Sequence, residues 1–575
     1  MLLPRLSEHS ASRSMVDAFR GYNHNPRIGD GEFYEMQNMT SDFCPVLAPR
    51  NKRGLYMTIP GIQGMISKEQ LCYVDGSAFV IGTETYDLGL TLTGDKQLVS
   101  MGAYVIILPD KKYINTMEPE DRGDIEAAVS TTGTAAVTMS TMDGEALEGV
   151  TAGDTAPANP GNGDYWIDTS AQTHVLKRWA QSTGQWITVL TTYVRIGAAG
   201  IGLGLAKQDG VTIRGIQGAE NLNGSFVIQS RGDDFIVIQG ILDEALSQTE
   251  SIRVSRTMPE MDFVVESENR LWGCRYGLNA QGKQVNEIYA SRLGDFRNWE
   301  SFQGISTDSY AVSVGSDGPF TGAATHQGYP LFFKETCLHK VYGSQPSNYQ
   351  VQTTACRGVQ RGSHGSLATV NEVLYYKARS AVMAFDGSLP TEISGALGDL
   401  LYRDAVAGAH GNKYYICMAD SGGNWNHFVY DTKKGIWCRE DDLHVLAYCS
   451  HGGEMYAVDD KRNVLTLISP GGSPIDFRWS VETGEIGLET PDMKYINRIL
   501  IRMQLDVGSE LRAYARYDFS EEWEPLFALR STNLRSFDVP IRPVRCDFMK
   551  LRLEGDGPAK IYSITKTMID GSGRS

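Results

Sequence analysis

Acidic side chains near turns are the residues whose type best suits a reaction, because paired Asp or Glu carboxylates cleave glycosidic bonds. Asp317 and Asp386 each precede a glycine, and Asp420 lies in a similar turn context. An Asp at such a position is usually a turn former, since its carboxylate accepts hydrogen bonds from the following backbone. Glycan hydrolysis is therefore a minor alternative on sequence grounds.

Other motifs do not favour an enzyme. The stretch 314–319 does not match the S-x-D-x-G-x-x-W turn that sialidase propellers repeat. The glycine-rich stretch 200–204 lacks the third spaced glycine and the following helix of a phosphate-binding loop, so we interpret it as a turn. The sequence predicts no catalytic residue, no metal site and no cofactor. Four isolated histidines are interpreted as surface or turn residues: His174, His326, His339 and His410.

Three tryptophans within a short span could contact a ligand. Trp166, Trp179 and Trp186 each lie in a predicted strand, and together they could form a face on which sugar rings stack. The same spacing suits the core of a β module too small to be stable without large side chains. The core interpretation is favoured, and glycan or partner contact remains the alternative.

Composition favours short strands and a reduced protein. The 575 residues are 41% hydrophobic and include 61 glycines, 27 tyrosines and nine cysteines. Abundant glycine with β-formers predicts strands joined by tight turns. The cysteines are odd in number and form no C-x-x-C pair, which predicts reduced thiols and no zinc ribbon. A net charge of −16 argues against tight nucleic-acid binding but permits DNA to pass along an acidic wall.

The rhythm of strands and turns divides the chain. Strand pairs such as those flanking Asp75-Gly76 recur with a period of roughly 35 to 50 residues, which is typical of propeller blades. The stretch 118–211 breaks this rhythm, and the last 90 or so residues alternate polar and apolar positions as a sandwich does. The predicted parts are an extended segment 1–60, propeller 61–117, inserted Thr/Gly- and Trp-rich β module 118–211, propeller 212–476, β-sandwich 477–569 and flexible tail 570–575.

The predicted fold is thus all-β: a β-propeller of six to eight blades with a small inserted β module and a C-terminal β-sandwich. The irregular first 60 residues are expected to become ordered on a neighbouring protein. No apolar run reaches the roughly 18 residues of a membrane helix, and the start lacks a signal peptide's apolar stretch. We therefore expect no membrane span.

Two groups of short sequence motifs resemble those of bacteriophage tail proteins. Residues 269–274 (NRLWGC), 286–291 (NEIYAS) and 293–299 (LGDFRNW) resemble the "NRLW … IYAS … LGDxxNW" blade of tail nozzle and tail hub proteins in short-tailed phages. Residues 330–343 resemble the next blade. The ending 541–564 is similar to their C-terminal sandwich, and the opening at 19–50 is similar to their extended N-terminal segment.

The resemblance implies a non-enzymatic virion protein. It would be assembled in the host cytoplasm as a homo-oligomeric ring, with a hexamer favoured, that continues the DNA ejection channel. Its partners would be other tail proteins, such as an adaptor and fibres, with DNA in passing contact only. The alternative is a receptor-binding or baseplate protein that contacts host glycans through the inserted module. A glycan-cleaving enzyme is a weaker third possibility.

Overall fold

The computed structural model describes residues 11–279, 282–471, 473–489 and 491–570. Within them the regular elements are 52 strands and four short 3-10 helices, without an α-helix. The predicted all-β class is confirmed. The 3-10 helices are Glu220–Leu222, Pro346–Asn348, His364–Ser366 and Gly395–Leu397. None of these helices has the length and apolar character needed to cross a membrane.

The chain divides into two compact units. The first contains residues 1–85, 333–338 and 354–575, and the second contains 86–332 and 339–353. Both units contain successive antiparallel meanders of four strands, which are the blades of a β-propeller. Among the described residues seven sheets are of this kind, counting the five-stranded sheet that contains Arg53–Thr58, and this number falls within the predicted range.

Four blades lie in the first unit or begin in it, and most of their strands follow one another along the chain. The blade that begins at Ile62 turns at Gly76, whose φ of +59° only glycine adopts readily, as the Asp-Gly signal predicted. The strands are Ile62–Ser67, Leu71–Asp75, Ala78–Ile81 and Glu84–Asp87; Ala368–Val370, Val373–Lys377, Val382–Phe385 and Thr391–Glu392; Arg403–His410, Lys413–Ala419, Trp425–Asp431 and Ile436–Asp441; and Val445–His451, Glu454–Asp459, Asn463–Thr466, Arg53–Thr58 and Pro474–Ile475.

The remaining blades lie wholly or mostly in the second unit. Their inner strands are apolar over consecutive residues because both faces are covered, as at the fully buried Leu331 and Phe332. The strands are Gln97–Met101, Tyr104–Leu108, Lys112–Asn115 and Arg122–Asp124; Phe263–Ser267, Arg270–Leu278, Gln284–Ala290 and Tyr310–Ser313; and Gly322–His326, Tyr329–Lys334, Cys337–Tyr342 and Gln350–Ala355.

Arg122–Asp124, predicted inside the module, is the last strand of a propeller blade, so the inserted module begins later than predicted, and it also ends later. Its eight-stranded sheet runs from residue 127 to 256, so the strand pair near 226–239, predicted as propeller, belongs to the module. These strands are short and apolar like those of a blade, and only their pairing with distant partners assigns them. The sheet contains Ala127–Ser130, Ala135–Ser140, Tyr193–Gly197, Gly210–Arg214, Gly224–Gly232, Phe235–Gln239, Leu246–Gln248 and Arg253–Arg256.

A C-terminal β-sandwich completes the first unit. In its 24-residue strand Lys494–Tyr517, buried side chains alternate with half-buried or exposed ones apart from interruptions at 497–498 and 506–508, as the sequence predicted for this region. Asp570, predicted in the tail, ends the last strand, and residues 571–575 lie outside the described part. The nine strands are Ala11–Val16, Gly21–Tyr22, Glu32–Gln37, Arg478–Thr483, Lys494–Tyr517, Glu524–Val539, Arg545–Cys546, Met549–Asp556 and Ala559–Asp570.

The prediction that the first 60 residues become ordered only on a neighbour is wrong for residues 11–60; residues 1–10 lie outside the described part. Ala11–Val16 pairs with the last strand of the sandwich. Arg53–Thr58 pairs with Asn463–Thr466. It completes a blade whose other strands lie between residues 445 and 475. Met39–Thr40 and Ala48–Pro49 form a small sheet between them. Turn residues surround these strands, so the sequence pattern did not indicate their pairing.

A buried ionic cluster holds the closing strand. The Arg53 guanidinium, 4% exposed, donates to Glu440 at 2.6 Å and to Asp441 at 2.7 Å. His427 lies 3.2 Å from the same guanidinium, and Arg50 donates to Asp441 at 3.3 Å. Burial alone would raise the pKa of the Glu440 carboxyl, but the hydrogen bond with His427 and the charges of the arginines hold that pKa well below its usual range.

Replacing Arg53 by Met should destabilise the protein strongly. Removing one partner of a buried ion pair costs about 3–5 kcal/mol, because Glu440 and Asp441 would keep their charges without full compensation. The measurement is the urea unfolding midpoint, with hydrogen exchange of the strand Asn463–Thr466. The control is Arg478→Met, whose side chain is 78% exposed in its ion pair and should change stability by about 1 kcal/mol at most. Equal effects of the two substitutions would contradict this account.

The same cluster should make the protein sensitive to acid. The pKa values of Glu440 and Asp441 are lowered in the folded state, so their contribution to stability is present above about pH 4.5 and is lost as the pH falls below it. Wild-type protein should therefore lose stability from pH 4.5 downward. Arg53→Met should lose less over that interval, which thermal unfolding across a pH series will measure.

All nine cysteines are free thiols in the structure. Seven are buried, whereas Cys44 and Cys356 are half-buried. Burial raises the pKa of the Cys356 thiol to about 11, so it will be almost fully protonated at neutral pH. A thiol reagent should therefore modify Cys44 first in native protein and nine thiols after denaturation. A Cys44→Ser variant that kept the fast native reaction would contradict this assignment.

Candidate functional site in the inserted module

The three tryptophans lie on a four-stranded sheet within the inserted module. The strand Thr151–Gly153 runs parallel to Tyr165–Asp168, and two antiparallel strands, Val175–Ala180 and Gln185–Thr188, follow. Trp166 lies opposite Lys177, and Trp179 lies opposite Trp186. Since side chains alternate along a strand, all of these residues lie on one face of the sheet.

The tryptophan rings pack on one another. The ring of Trp186 lies 5.5 Å from that of Trp166 and 5.4 Å from that of Trp179, both in edge-to-face geometry. Trp166 is 6% exposed and donates its indole N–H to the carbonyl of Gly153 at 3.0 Å, whereas Trp179 and Trp186 are half-buried. The opposite face of the sheet carries Ile167 and Leu176, which belong to the module's core.

The tryptophan layer is therefore distinct from the core of the module. The favoured sequence interpretation, a core role, describes Trp166 better than the other two rings. Pairing between the strands brings the three tryptophans together. The interpretation of these residues as a ligand-contact surface depends on this arrangement. An aromatic layer with two partly exposed rings offers a flat apolar platform of the kind that stacks on sugar rings or on a protein partner.

A charged pair borders the tryptophan layer. Lys177 donates to Asp168 at 2.7 Å, and its ammonium lies 4.9 Å from the centre of the Trp166 ring. The hydrogen bond from Lys177, together with those from the hydroxyl and amide of Ser170, lowers the pKa of the Asp168 carboxyl to about 2. Asp168 is therefore ionised at any physiological pH and offers a fixed acceptor beside the aromatic platform.

A groove of about 670 Å³ lies in the same unit, next to the tryptophan sheet. Phe302 is 58% exposed and Leu190 is 94% exposed at its wall, and His174 pairs with Asp243 at 2.8 Å. Sequence analysis missed the groove because its walls come from distant segments, near 174–192, 225–241 and 300–303. Its other polar side chains are Thr188, Thr192, Ser225, Gln229, Gln239, Glu300 and Gln303.

The remaining candidates mostly have structural roles. Asp420 accepts hydrogen bonds from the amides of Gly422 and Asn424, which confirms its predicted role as a turn former. The prediction of surface positions for all four histidines is wrong for His326 and His339, which are buried inside strands. His339 lies between hydroxyl groups, at 2.8 Å from Ser316 and 2.9 Å from Thr353.

The remaining sequence candidates are turn residues. Asp386 accepts a hydrogen bond from the amide of Ser388 at 3.0 Å, and Asp317 precedes Gly318, which has a φ of +82°. Gly200 donates its amide to Asp234 at 2.8 Å, so the stretch 200–204 is held by a carboxylate as a turn. Within the described residues no group of three His, Cys, Asp or Glu side chains could hold a metal ion.

Between residues 269 and 299, the residues of the first motif that resembles phage tail proteins lie in the second unit and are largely buried. Arg270 is 2% exposed and donates to the carbonyls of Ser291 at 2.8 Å and of Asp308 at 2.5 Å. Asn298 is fully buried, donates to the carbonyl of Gln208 at 2.6 Å and accepts from the amide of Gly210 at 3.1 Å. These bonds fix the loop after the blade strand and attach it to the inserted module.

Comparison with known proteins gives similarity to solved structures alone. No family of known proteins matches the chain, and no curated protein matches it. Sixty-six chains of solved structures match. An exo-β-1,3-galactanase from Phanerochaete chrysosporium, solved with galactose, is 8% identical with a TM-score of 0.23 and covers 53% of this chain and 95% of its own. AztD from Citrobacter koseri is 12% identical with a TM-score of 0.21, covering 60% and 97%.

The prediction that this chain is not an enzyme is contradicted by these matches, because glycoside hydrolases are among them. Besides the galactanase, an engineered GH43 hydrolase with endo-xylanase and exo-arabinofuranosidase activity is 7% identical, with a TM-score of 0.20, and covers 54% of this chain and 98% of its own. Sequence reasoning relied on missing motifs, whereas catalytic carboxylates recur on folds without shared sequence. The exclusion is withdrawn, although similarity this low assigns no reaction to this chain.

Replacing Trp186 by Ala should loosen the tryptophan sheet. The substitution removes ring contacts with both Trp166 and Trp179, each worth about 0.5–1.5 kcal/mol beyond the buried area. We expect the free energy of opening of the strands Val175–Ala180 and Gln185–Thr188 to fall by about 2 kcal/mol in hydrogen exchange. Ile187→Ala, at a neighbouring residue that is 52% exposed, is the matched control and should have a smaller effect. Equal exchange in both variants would contradict this packing.

Proposed function

We propose that this chain is a structural protein of a bacteriophage tail, which forms a ring-shaped nozzle or hub. In this role it continues the DNA ejection channel and anchors other tail proteins, such as an adaptor and fibres. The observation that carries the proposal is the NRLW … IYAS … LGDFRNW phrase together with the place of its residues. Arg270, Ser291 and Asn298 are buried and their polar groups bond to backbone, so the phrase specifies architecture.

The closing strand also supports a mechanical role. The strand Arg53–Thr58 ties residues near the start of the chain to a blade from residues 445–466, and the Arg53 cluster fixes it. The closing strand therefore cannot separate from its neighbours without breaking the buried ion pairs of Arg53. A protein that withstands the passage of DNA under pressure needs this resistance.

The charge of the chain is compatible with a DNA channel. With a net charge of −16 the protein as a whole repels the DNA backbone, so DNA could slide past it without being retained. The proposal therefore includes passing contact with DNA and no specific binding. In the virion, the inserted module would serve as an attachment point for a neighbouring tail protein.

A second candidate function is contact with host surface glycans. The observation that favours it is the tryptophan layer, whose partly exposed Trp179 and Trp186 lie beside the fixed carboxylate of Asp168. Apolar platforms next to fixed acceptors are suited to sugar rings, which present C–H groups on one side and hydroxyls around the edge. In that case the protein would be a receptor-binding or baseplate component.

The proposal predicts a closed ring of identical copies on the tail axis. Native mass spectrometry of the purified protein and electron microscopy of virions, with the chain labelled by a specific antibody, will measure copy number and position. A ring on the axis is the expected result. Absence of the chain from purified virions would refute the proposal.

A pair of substitutions separates the two candidate functions. Trp179→Ala combined with Trp186→Ala removes the exposed part of the platform, and Ile187→Ala is the matched control. Normal tail assembly with adsorption reduced at least tenfold would favour glycan contact. Failed assembly, with the purified variant still folded by circular dichroism, would favour attachment of a tail protein.

A further inference from the structure

Two strands of the C-terminal sandwich have an unpaired edge in the described part of the chain. Ala11–Val16 pairs with Ala559–Asp570, and Glu524–Val539 pairs with Lys494–Tyr517. Neither strand has a second partner there. Edge strands present a row of free N–H and C=O groups that can pair with another chain, and proteins usually shorten, cover or charge them. Glu524–Val539 is 16 residues long, well above the usual length of about five or six.

These strands are the two opposite edges of one local sheet. Val16 lies opposite Ile564, Ile564 lies opposite Ile501, and Ile501 lies opposite Phe537. At this level the sheet therefore has four strands, with Ala11–Val16 at one side and Glu524–Val539 at the other. All three pairings are antiparallel, so the two edge strands run in opposite directions.

The opposite directions permit continuation into a second copy. If another copy is placed beside the first with its sheet in the same orientation, Glu524–Val539 of one copy faces Ala11–Val16 of the other in antiparallel fashion. Such a contact uses different surfaces on the two copies and repeats head to tail, which produces a ring when the rotation closes. A contact between identical edges would give only a closed pair of copies.

The lengths of the two edges match. The pairing of Glu524–Val539 with its neighbour is uninterrupted from Ile499 opposite Val539 to Met503 opposite Arg535, and irregularities follow beyond it. This regular stretch provides five consecutive residues, and Ala11–Val16 provides six. A bulge would prevent continuous pairing, so the regular stretch is the part of the long strand best suited to receive the short one.

The side chains of the two edges are complementary. Arg13 on one edge and Asp538 on the other are exposed on the same outer face of the sheet, with opposite charges. On that face Met15 is 61% exposed, and Leu534, just beyond the regular stretch of the other edge strand, is 45% exposed. Opposite charges on one face, with apolar side chains nearby, suit cross-strand pairing.

We infer that Ala11–Val16 of one copy adds to the edge of Glu524–Val539 of the next copy, so that the sandwiches of adjacent copies share a continuous antiparallel sheet. The inference deepens the proposed ring by naming its interface, and the structural observations that support it are independent of the phage assignment. Arg13 would pair with Asp538 across the interface, and Met15 would pack near Leu534.

The test exchanges the charges of the two edges. Arg13→Glu and Asp538→Lys each place like charges across the interface, so each variant alone should associate at least tenfold more weakly than wild type in analytical ultracentrifugation. Mixed in equal amounts, the two variants should restore assembly, because alternating copies would have one native contact and one exchanged contact. Circular dichroism verifies that each variant is folded. Asp538 and its ion-pair partner Arg498 are both at least half exposed, so Asp538→Lys should cost little stability.

Each outcome decides the inference. Weak association of the single variants with recovery on mixing would establish the head-to-tail strand contact. Unchanged association of both single variants, or wild-type protein that stays monomeric both in solution and in tails, would overturn it. Weak association without recovery would also overturn it, since an unrelated partner strand or a symmetric contact would then occupy the edge.

The outcome for the proposed function is separate. Recovery on mixing, with the chain absent from virions, would keep the interface and refute the tail assignment. A ring on the tail axis that both charge variants form normally would keep the tail assignment and refute this interface. A photo-crosslinking residue in place of Met15 should in addition link to residues 532–539 of another copy, whereas one in place of the 98% exposed Val507 should not.

Discussion

The first unit depends on one buried ionic contact between residues far apart in the sequence. Arg53 and Glu440 are 387 residues apart in sequence and 2.6 Å apart in space. A guanidinium with this little exposure is tolerable only because two carboxylates and His427 surround it. The strand that carries Arg53 then completes a blade, and three strands before it belong to the sandwich. Closure by strand pairing alone would lack this fixed register, which the arginine fork provides.

The second unit also has a buried ion pair, which lies within its inserted module. Arg256 donates to the carboxylate of Asp209 at 2.5 Å, and both side chains are almost fully buried. Asn298 of the blade loop donates to the carbonyl of Gln208 and accepts from the amide of Gly210. These two hydrogen bonds join the blade loop to the module. Unpaired polar groups in such positions would cost more than the bonds contribute. The module is thus held firmly while its tryptophan sheet has a face outside the core.

These features suit a protein that works as part of an assembly. A tail protein that conducts DNA must be rigid within each copy, and the buried ionic contacts serve that need. It must also join its neighbours, and the opposed edges Ala11–Val16 and Glu524–Val539 offer a repeating contact. The tryptophan platform and the groove remain surfaces for a further ligand, either a tail protein or a glycan. The fold alone is compatible with catalysis as well, because propellers serve structural and enzymatic roles.

Features that depend on local patterns could be predicted from the amino-acid sequence. Strand alternation, turn residues such as Asp75-Gly76 and the blade period were enough for the all-β class, the propeller and the sandwich, because neighbours along the chain decide those features. It also placed Trp166, Trp179 and Trp186 in one module. Tertiary structure alone decided the partner of Arg53–Thr58, the true extent of the module and the groove. These depend on contacts between residues far apart in sequence, for which no local pattern exists, and a short strand pairs equally well with many partners until the packed structure selects one.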